Sequence, residues 1–154
     1  MPSLGIGLSG EKQKNRTPNV VAQEDFDTAT RGYTGENANV ALYSTGLDNP
    51  CLQVDCTATN GYAYKEYTVL PSTRYYFRIR LAVGELGSGN KTVKLGTSAG
   101  DDTHFSGVQN VPGVTTWYYF TTGGSQTSVF VSLQQQISGK FAGWDDFRLE
   151  TWDG

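Results

Sequence analysis

The stretch YTVLPSTRYYFRIRLAV, residues 67–83, decides the fold class of this chain. A strand-like segment ends at Leu70, and the next three residues, Pro71-Ser72-Thr73, have the composition of a turn. After the turn, large apolar residues alternate strictly with others, and this period of two places the two sets on opposite faces of a strand. We expect one face to be buried: Tyr75, Phe77, Ile79, Leu81 and Val83. A dry face opposite a wet face is typical of an antiparallel sheet.

Further short strand patterns follow one another from Asn19 to the end of the chain. The 19 glycines and five prolines are spread through 154 residues, which indicates many tight turns, and no segment has a convincing helical period. A chain of this length fits a single domain. The sequence therefore predicts an all-β fold, an antiparallel β-sandwich or jelly roll of about eight strands over residues 19–154. Residues 1–18 are predicted to form an extended N-terminal arm.

Composition excludes several classes of protein. The net charge of −3 argues against broad nucleic-acid binding, which requires phosphate neutralisation. No apolar run approaches the roughly 20 residues of a membrane span, and no basic residue precedes the short apolar start, so we expect neither a membrane segment nor a signal peptide. Cys51 and Cys56 flank a predicted strand, whose extended path separates them too far for a disulfide, so two reduced, partly buried thiols are expected.

The alternation also predicts two faces for the sheets. The core is expected to contain Val93, Leu95, Trp117, Tyr119, Val129, Val131, Leu133, Phe147 and Leu149, together with the alternate residues of the 75–83 strand. The opposite face is a candidate ligand face with Tyr76, Arg78, Arg80, Lys94 and Tyr118, beside Phe130 and Gln134. Aromatic, guanidinium and amide groups on one face suit a sugar or a partner protein. The alternative is an ordinary covered face of a sandwich.

The arm carries a pattern of its own. Three apolar residues alternate with small ones and precede three basic residues: Leu4, Ile6, Leu8, Lys12, Lys14 and Arg16. We expect the apolar set to dock on a neighbouring subunit or partner by strand addition or in a groove, with the basic set at an acidic rim. This predicts a homo-oligomer. The alternative is a frayed terminus.

An ordered set of segments resembles the carbohydrate-binding modules of the four/nine type. The segments are Asn19-Val-Val, Asp25-Phe26-Asp27, Leu52-Gln53-Val54, residues 67–80, Thr116-Trp117-Tyr118-Tyr119-Phe120-Thr121 and Asp145-Asp146-Phe147-Arg148-Leu149. The resemblance covers roughly residues 19–150 and implies a jelly roll that binds a glycan. It also implies a structural calcium joining the first strand to the last, with Asp27 and Asp145 as ligands. The alternative is a pair of solvated acids at strand ends.

The opening Ser3-Leu4-Gly5-Ile6-Gly7-Leu8 resembles the starts of small bacteriophage virion proteins. With the arm and the lack of a signal peptide, it favours a non-catalytic structural protein of a phage virion, made in the host cytoplasm. The predicted role is a capsid decoration or cement protein that bridges neighbouring capsid subunits, with the major capsid protein or another virion protein as partner. The alternative is a glycan-binding module of a tail or receptor-binding component.

Catalysis has little support in the sequence. His104 is the one histidine, no serine lies in a Gly-x-Ser-x-Gly motif, and a Cys/His zinc site is improbable. The Asp-Asp pairs are 101–102 and 145–146, and sequence neighbours on a strand point to opposite faces, so neither pair forms an acid/base couple by itself. We therefore predict that the protein is not an enzyme and requires no cofactor.

Overall fold

A computed structural model describes residues 19–44, 50–85 and 87–152. These ranges contain eleven β-strands and no helix, hence none that is long and apolar enough to cross a membrane. The strands are β1 (Val20–Glu24), β2 (Thr34–Glu36), β3 (Ala38–Tyr43), β4 (Cys51–Cys56), β5 (Gly61–Thr68), β6 (Arg74–Gly84), β7 (Lys91–Gly96), β8 (Phe105–Val108), β9 (Thr115–Thr121), β10 (Ser128–Gln135) and β11 (Phe141–Thr151).

The strands form two antiparallel sheets packed as a sandwich, which confirms the predicted fold class. The six-stranded sheet has the order β3-β4-β11-β6-β9, and β1 also pairs with β11. The five-stranded sheet has the order β2-β5-β10-β7-β8. Because β1 and β11 are neighbours, residues from the two ends of the domain lie side by side. The predicted arm residues lie outside the described residues.

The 75–83 strand, β6, turns one face into the core, as its alternation predicts. Tyr75, Phe77, Ile79 and Leu81 are all buried in the interface between the sheets. Val83 is a correction, because it is only partly buried. Leu81 pairs with Trp144 and Val83 with the next residue of β11, so a bulge at this point turns Val83 to the outer face.

The predicted core is correct on β7, β10 and β11 and wrong on β9. Val93, Leu95, Val129, Val131, Leu133, Phe147 and Leu149 are all buried. Trp117 and Tyr119 instead lie on the outer face, since they pair in register with Arg78 and Tyr76. Trp117 is 59% exposed, whereas Phe120 on the other side of the strand is buried. The run of four aromatic residues, 117–120, contains no polar residue that marks the wet face.

Strands β4 and β8 lie towards the edges of the two sheets. Cys51 and Cys56 stand at opposite ends of strand β4 and are both free, as predicted, but both are fully and not partly buried. Strand β8 lies at the edge of the five-stranded sheet. Phe105 of β8 stacks on Tyr118 of β9 with 4.5 Å between ring centroids, and this contact closes one side of the sandwich.

Candidate functional site

Asp27 and Asp145 belong to one acidic site. Asp145 lies in β11 and is 4% exposed, and Asp27 follows strand β1, the neighbour of β11. Burial, with the nearby charges of Asp146 and Asp27, raises the pKa of Asp145 from 3.8 to about 6. The Oδ1 atoms of Asp27 and Asp145 are both buried and accept no hydrogen bond from the described residues. Buried carboxylate oxygens without a donor are costly, and a bound cation would satisfy them.

Arg80 belongs to this acidic site and not to an open ligand face. Its Nε donates to Asp146 Oδ2 at 2.7 Å, and its Nη2 lies 3.5 Å from Asp145 Oδ2. The two acids are sequence neighbours, yet both reach Arg80. A register shift between Asp145 and Arg148, with Asp146 at φ 54°, breaks the alternation that would separate them. Among the described residues, no group of three or more His, Cys, Asp or Glu could hold a metal ion.

The other residues of the candidate ligand face do not form one surface. Tyr76 and Arg78 lie on the outer face of the six-stranded sheet, with Arg80. Lys94 lies on the outer face of the five-stranded sheet, on the opposite side of the molecule. Tyr118 is on the side of β9 that faces the core, and its ring stacks on Phe105 between the sheets. The single-face prediction is therefore wrong, because strand alternation does not tell which of two sheets a strand joins.

The outer face of the five-stranded sheet carries a ring row, which we define as Tyr62, Tyr64 and Phe130. Successive ring centroids are 6.0 and 6.4 Å apart across the adjacent strands β5 and β10. Polar side chains flank the row on the same face. In register, Tyr62 lies between Glu36 of β2 and Gln134 of β10. Burial and the Glu36 carboxylate raise the pKa of Tyr62, so its hydroxyl remains a hydrogen-bond donor.

The 97–104 loop rises over this face beside the ring row. Gly100 N donates to Ser132 Oγ at 2.8 Å, and Lys94 Nζ lies 3.5 Å from Gly100 O. Gly100 has a φ of +78°, and a Cβ there would lie 3.0 Å from the ring of Tyr62. A side chain at position 100 would therefore be strained and crowded. Glycine lets the loop lie directly against the sheet beside Tyr62.

Asp101 holds the loop in shape. Its Oδ2 accepts hydrogen bonds from the backbone amide of Thr97 at 2.9 Å, from the Thr97 hydroxyl at 3.2 Å and from the Thr103 hydroxyl. These bonds lower the pKa of Asp101 from 3.8 to about 2, and the bond from the Thr103 hydroxyl contributes most. His104 at the end of the loop pairs with Gln126 Oε1 at 3.0 Å and not with a nucleophile.

A second aromatic surface lies on the outer face of the six-stranded sheet. Five residues line a shallow pocket of about 330 Å³ there: Tyr76, Trp117, Tyr119, Glu150 and Trp152. We call it the aromatic pocket. Of these residues only Tyr76 was predicted on the outer face, because Trp117 and Tyr119 were expected in the core and the patterns gave no role to Glu150 or Trp152. Of the ring row, Phe130 was predicted on an outer face, whereas Tyr62 and Tyr64 were missed, although both alternate with other residues along β5.

Comparison with solved structures identifies the fold. No protein-family model and no curated protein matches the chain. The CBM22-1 and GH10 modules of the Clostridium thermocellum endo-1,4-β-D-xylanase 10B, complexed with xylohexaose, match with a TM-score of 0.59 and 15% identity. That match covers 90% of this chain and 29% of that chain, so this chain spans under a third of that structure.

Two isolated modules match over nearly their whole length. The xylan-binding domain from family 22 has a TM-score of 0.57 at 14% identity, over 86% of this chain and 95% of that chain. A family 4 carbohydrate-binding module has a TM-score of 0.57 at 14% identity, over 82% and 99%. At these identities the likeness shows the fold, a jelly roll like that of carbohydrate-binding modules.

Proposed function

We propose that this protein is a non-catalytic glycan-binding module and that its ligand lies on the ring row. The observation that carries the proposal is the row itself, with polar groups on its flanks and the 97–104 loop along one side. A sugar ring has apolar C–H faces and a rim of hydroxyls. Aromatic faces pack against the former, and amide, carboxylate and ammonium groups bind the latter. The ring row presents both kinds of group on one surface.

The fold supports this function without deciding it, because one fold hosts many functions. The matching modules include a xylan-binding domain and a structure with bound xylohexaose, so glycan binding is known on this architecture. The half-buried rings of the row lie across two central strands, where the sheet holds them in place. A rigid platform loses little conformational entropy when a ligand binds.

Calorimetric titration with xylohexaose, cellohexaose and oligogalacturonate tests the proposal. Replacing Tyr64 or Phe130 with alanine is expected to weaken binding by about 2- to 10-fold for each lost stacking contact. Leu70→Ala is the control, since Leu70 is 59% exposed in the turn before β6. Equal affinities for Tyr64→Ala and Leu70→Ala would place the ligand elsewhere, and no binding of any glycan on a broad array would remove the function.

We also propose that calcium is structural here, held by Asp27 and Asp145. Calcium prefers hard oxygen ligands, and the two buried oxygens without donors are of that kind. Since these are two acids and not three, the remaining ligands would be backbone carbonyls, amide oxygens or water. A cation there would link the end of β1 to β11 and balance the charges of Asp27, Asp145 and Asp146.

The predicted role as a capsid decoration protein draws no support from these comparisons. Its main motivation, the arm with Leu4, Ile6 and Leu8, lies outside the described residues. A virion location and a capsid partner therefore stay predictions, for which saturable binding to intact capsids is the test. The glycan-binding alternative has the stronger support, since both the fold and the ring row favour it.

A further inference from the structure

The aromatic pocket lies on the face of the sandwich opposite the ring row. Tyr76 of β6 pairs in register with Tyr119 of β9 on one side and with Glu150 of β11 on the other. Trp152 follows β11, and its backbone N–H donates to Arg74 O at 2.8 Å, which fixes the chain beside the sheet. Four of the five lining residues thus lie on three adjacent strands, and Trp152 directly follows one of them.

Four rings form the walls of the pocket. Tyr119 is at the centre, with its ring centroid 5.2 Å from Tyr76, 4.9 Å from Trp152 and 5.8 Å from Trp117. Trp117 is 59% exposed and Trp152 is 38% exposed. Large aromatic side chains grouped in the open on one surface mark a binding site more often than isolated exposed ones do.

The pocket also has a polar group that is fixed in place. Glu150 is 8% exposed, and its Oε2 accepts a hydrogen bond from Arg148 Nε at 2.5 Å. An ionised carboxylate has about four acceptor positions, so this bond leaves others for a ligand hydroxyl. Rings with a fixed acceptor between them suit a ligand that is apolar on its faces and rich in hydroxyls on its edge.

The charges around the pocket decide between a sugar and a cation. Aromatic rings with a carboxylate also suit a quaternary ammonium ion. Here, however, Arg148 neutralises Glu150, and the guanidinium of Arg74 already lies over the Tyr119 ring at 5.4 Å. Arg78 is next to both Trp117 and Arg148 in register. Three arginines around one carboxylate repel a cation and tolerate a neutral or acidic sugar.

We propose that the aromatic pocket is a second carbohydrate site, which takes one or two sugar units of a glycan on the face opposite the ring row. Its volume of about 330 Å³ is near the lower end of small-ligand pockets, which is small for a long oligosaccharide. This inference goes beyond the proposed function. A module with sites on both faces binds two glycan chains at once and cross-links them.

Tryptophan fluorescence distinguishes the two sites. The chain has three tryptophans: Trp117 and Trp152 line the aromatic pocket, and Trp144 is buried in the core. The ring row contains none. A ligand in the aromatic pocket is therefore expected to change tryptophan emission, whereas a ligand on the ring row is expected to give heat in calorimetry with little change in emission.

The experiment titrates the full chain with xylohexaose, cellohexaose, oligogalacturonate and choline chloride. We expect one of the three oligosaccharides to give a saturable change in emission. Trp117→Ala or Trp152→Ala is expected to weaken that ligand at least about tenfold, as for anchor residues of an interface. Tyr64→Ala is expected to leave the emission change intact, and Thr115→Ala, an exposed neighbour on β9, is the control on the same face. If a tryptophan variant does not fold, Glu150→Gln replaces it, because this variant keeps the rings and changes only the carboxylate; it too is expected to weaken binding.

Several results overturn the inference. If a ligand gives binding heat but no change in tryptophan emission, and Tyr64→Ala abolishes that heat, the ligand binds the ring row and there is no second site. Saturation by choline and by none of the oligosaccharides would make the pocket a cation site. Sedimentation that shows Trp117-dependent self-association would make it an interface between copies of this chain. If none of the three oligosaccharides changes the tryptophan emission or gives binding heat, neither glycan site exists.

Discussion

The Tyr67 hydroxyl donates a hydrogen bond of 2.6 Å to Glu24 Oε2, and this bond joins the two sheets through the interior. Tyr67 belongs to β5 and Glu24 to β1. The same carboxylate pairs with Lys65, and the hydroxyl of Tyr33 lies 3.1 Å from that of Tyr67. Burial, with the charge of Glu24, raises the pKa of both tyrosines far above the usual value, so both stay protonated.

Removing the Tyr67 hydroxyl is expected to destabilise the fold. Tyr67→Phe deletes a bond to a buried charge, and such bonds contribute about 1.5–3 kcal/mol to the free energy of unfolding. Tyr33→Phe deletes a bond between two neutral hydroxyls and is expected to cost about 1 kcal/mol. Urea unfolding of both variants measures the difference. Equal losses would show that the charge of Glu24 adds nothing to the bond.

Strand β6 offers one variant in the core and one beyond the bulge. Phe77 is fully buried, whereas Val83 lies past the bulge and is only partly buried. Phe77→Ala is expected to lower the free energy of unfolding by about 3–5 kcal/mol, because it leaves a cavity. Val83→Ala is expected to cost distinctly less. If chemical denaturation gave the two variants similar losses, the assignment of Val83 to the outer face would be wrong.

Calcium binding at Asp27 and Asp145 predicts a chelator effect. A ligand that binds only the folded state raises its melting temperature, so adding chelator is expected to lower it. Asp145→Asn is expected to remove this response. In chelator at pH 7, we expect the variant to be at least as stable as the parent, because the raised pKa of Asp145, about 6, reflects the cost of a buried charge. A melting curve that calcium and chelator leave unchanged would remove the site.

Asp101 predicts a pH dependence with a defined sign. Its pKa in the folded state is about 2, below the 3.8 of the free group, so the folded loop favours the ionised form. Its contribution to stability is therefore complete above pH 4 and is lost as the pH falls through 2. We expect Asp101→Asn to melt below the parent at pH 6 and the gap to close towards pH 2. A gap that persists at pH 2, or an equal gap for Asp102→Asn, would contradict this.

The sequence determined the fold class through local patterns. The alternation of β6 and the apolar sets of β7 and β10 predict a two-faced antiparallel sheet, because side chains alternate on every strand whatever its neighbours are. The resemblance to carbohydrate-binding modules rests on the order of several short segments along the chain. It also implies Asp27 and Asp145 as calcium ligands. These predictions depend on spacing within a segment or on motif order, and both can be read without the tertiary structure.

Only the tertiary structure decided which residues share a surface. Trp117 turned outward because β9 pairs with β6 in a register that places it beside Arg78. Lys94 left the predicted face because β7 joins the other sheet. One bulge places the Val83 side chain on the outer face, and a second places both Asp145 and Asp146 beside Arg80. Alternation fixes the two faces of a strand, but the sheet it joins, its register and its bulges depend on residues far away in the chain.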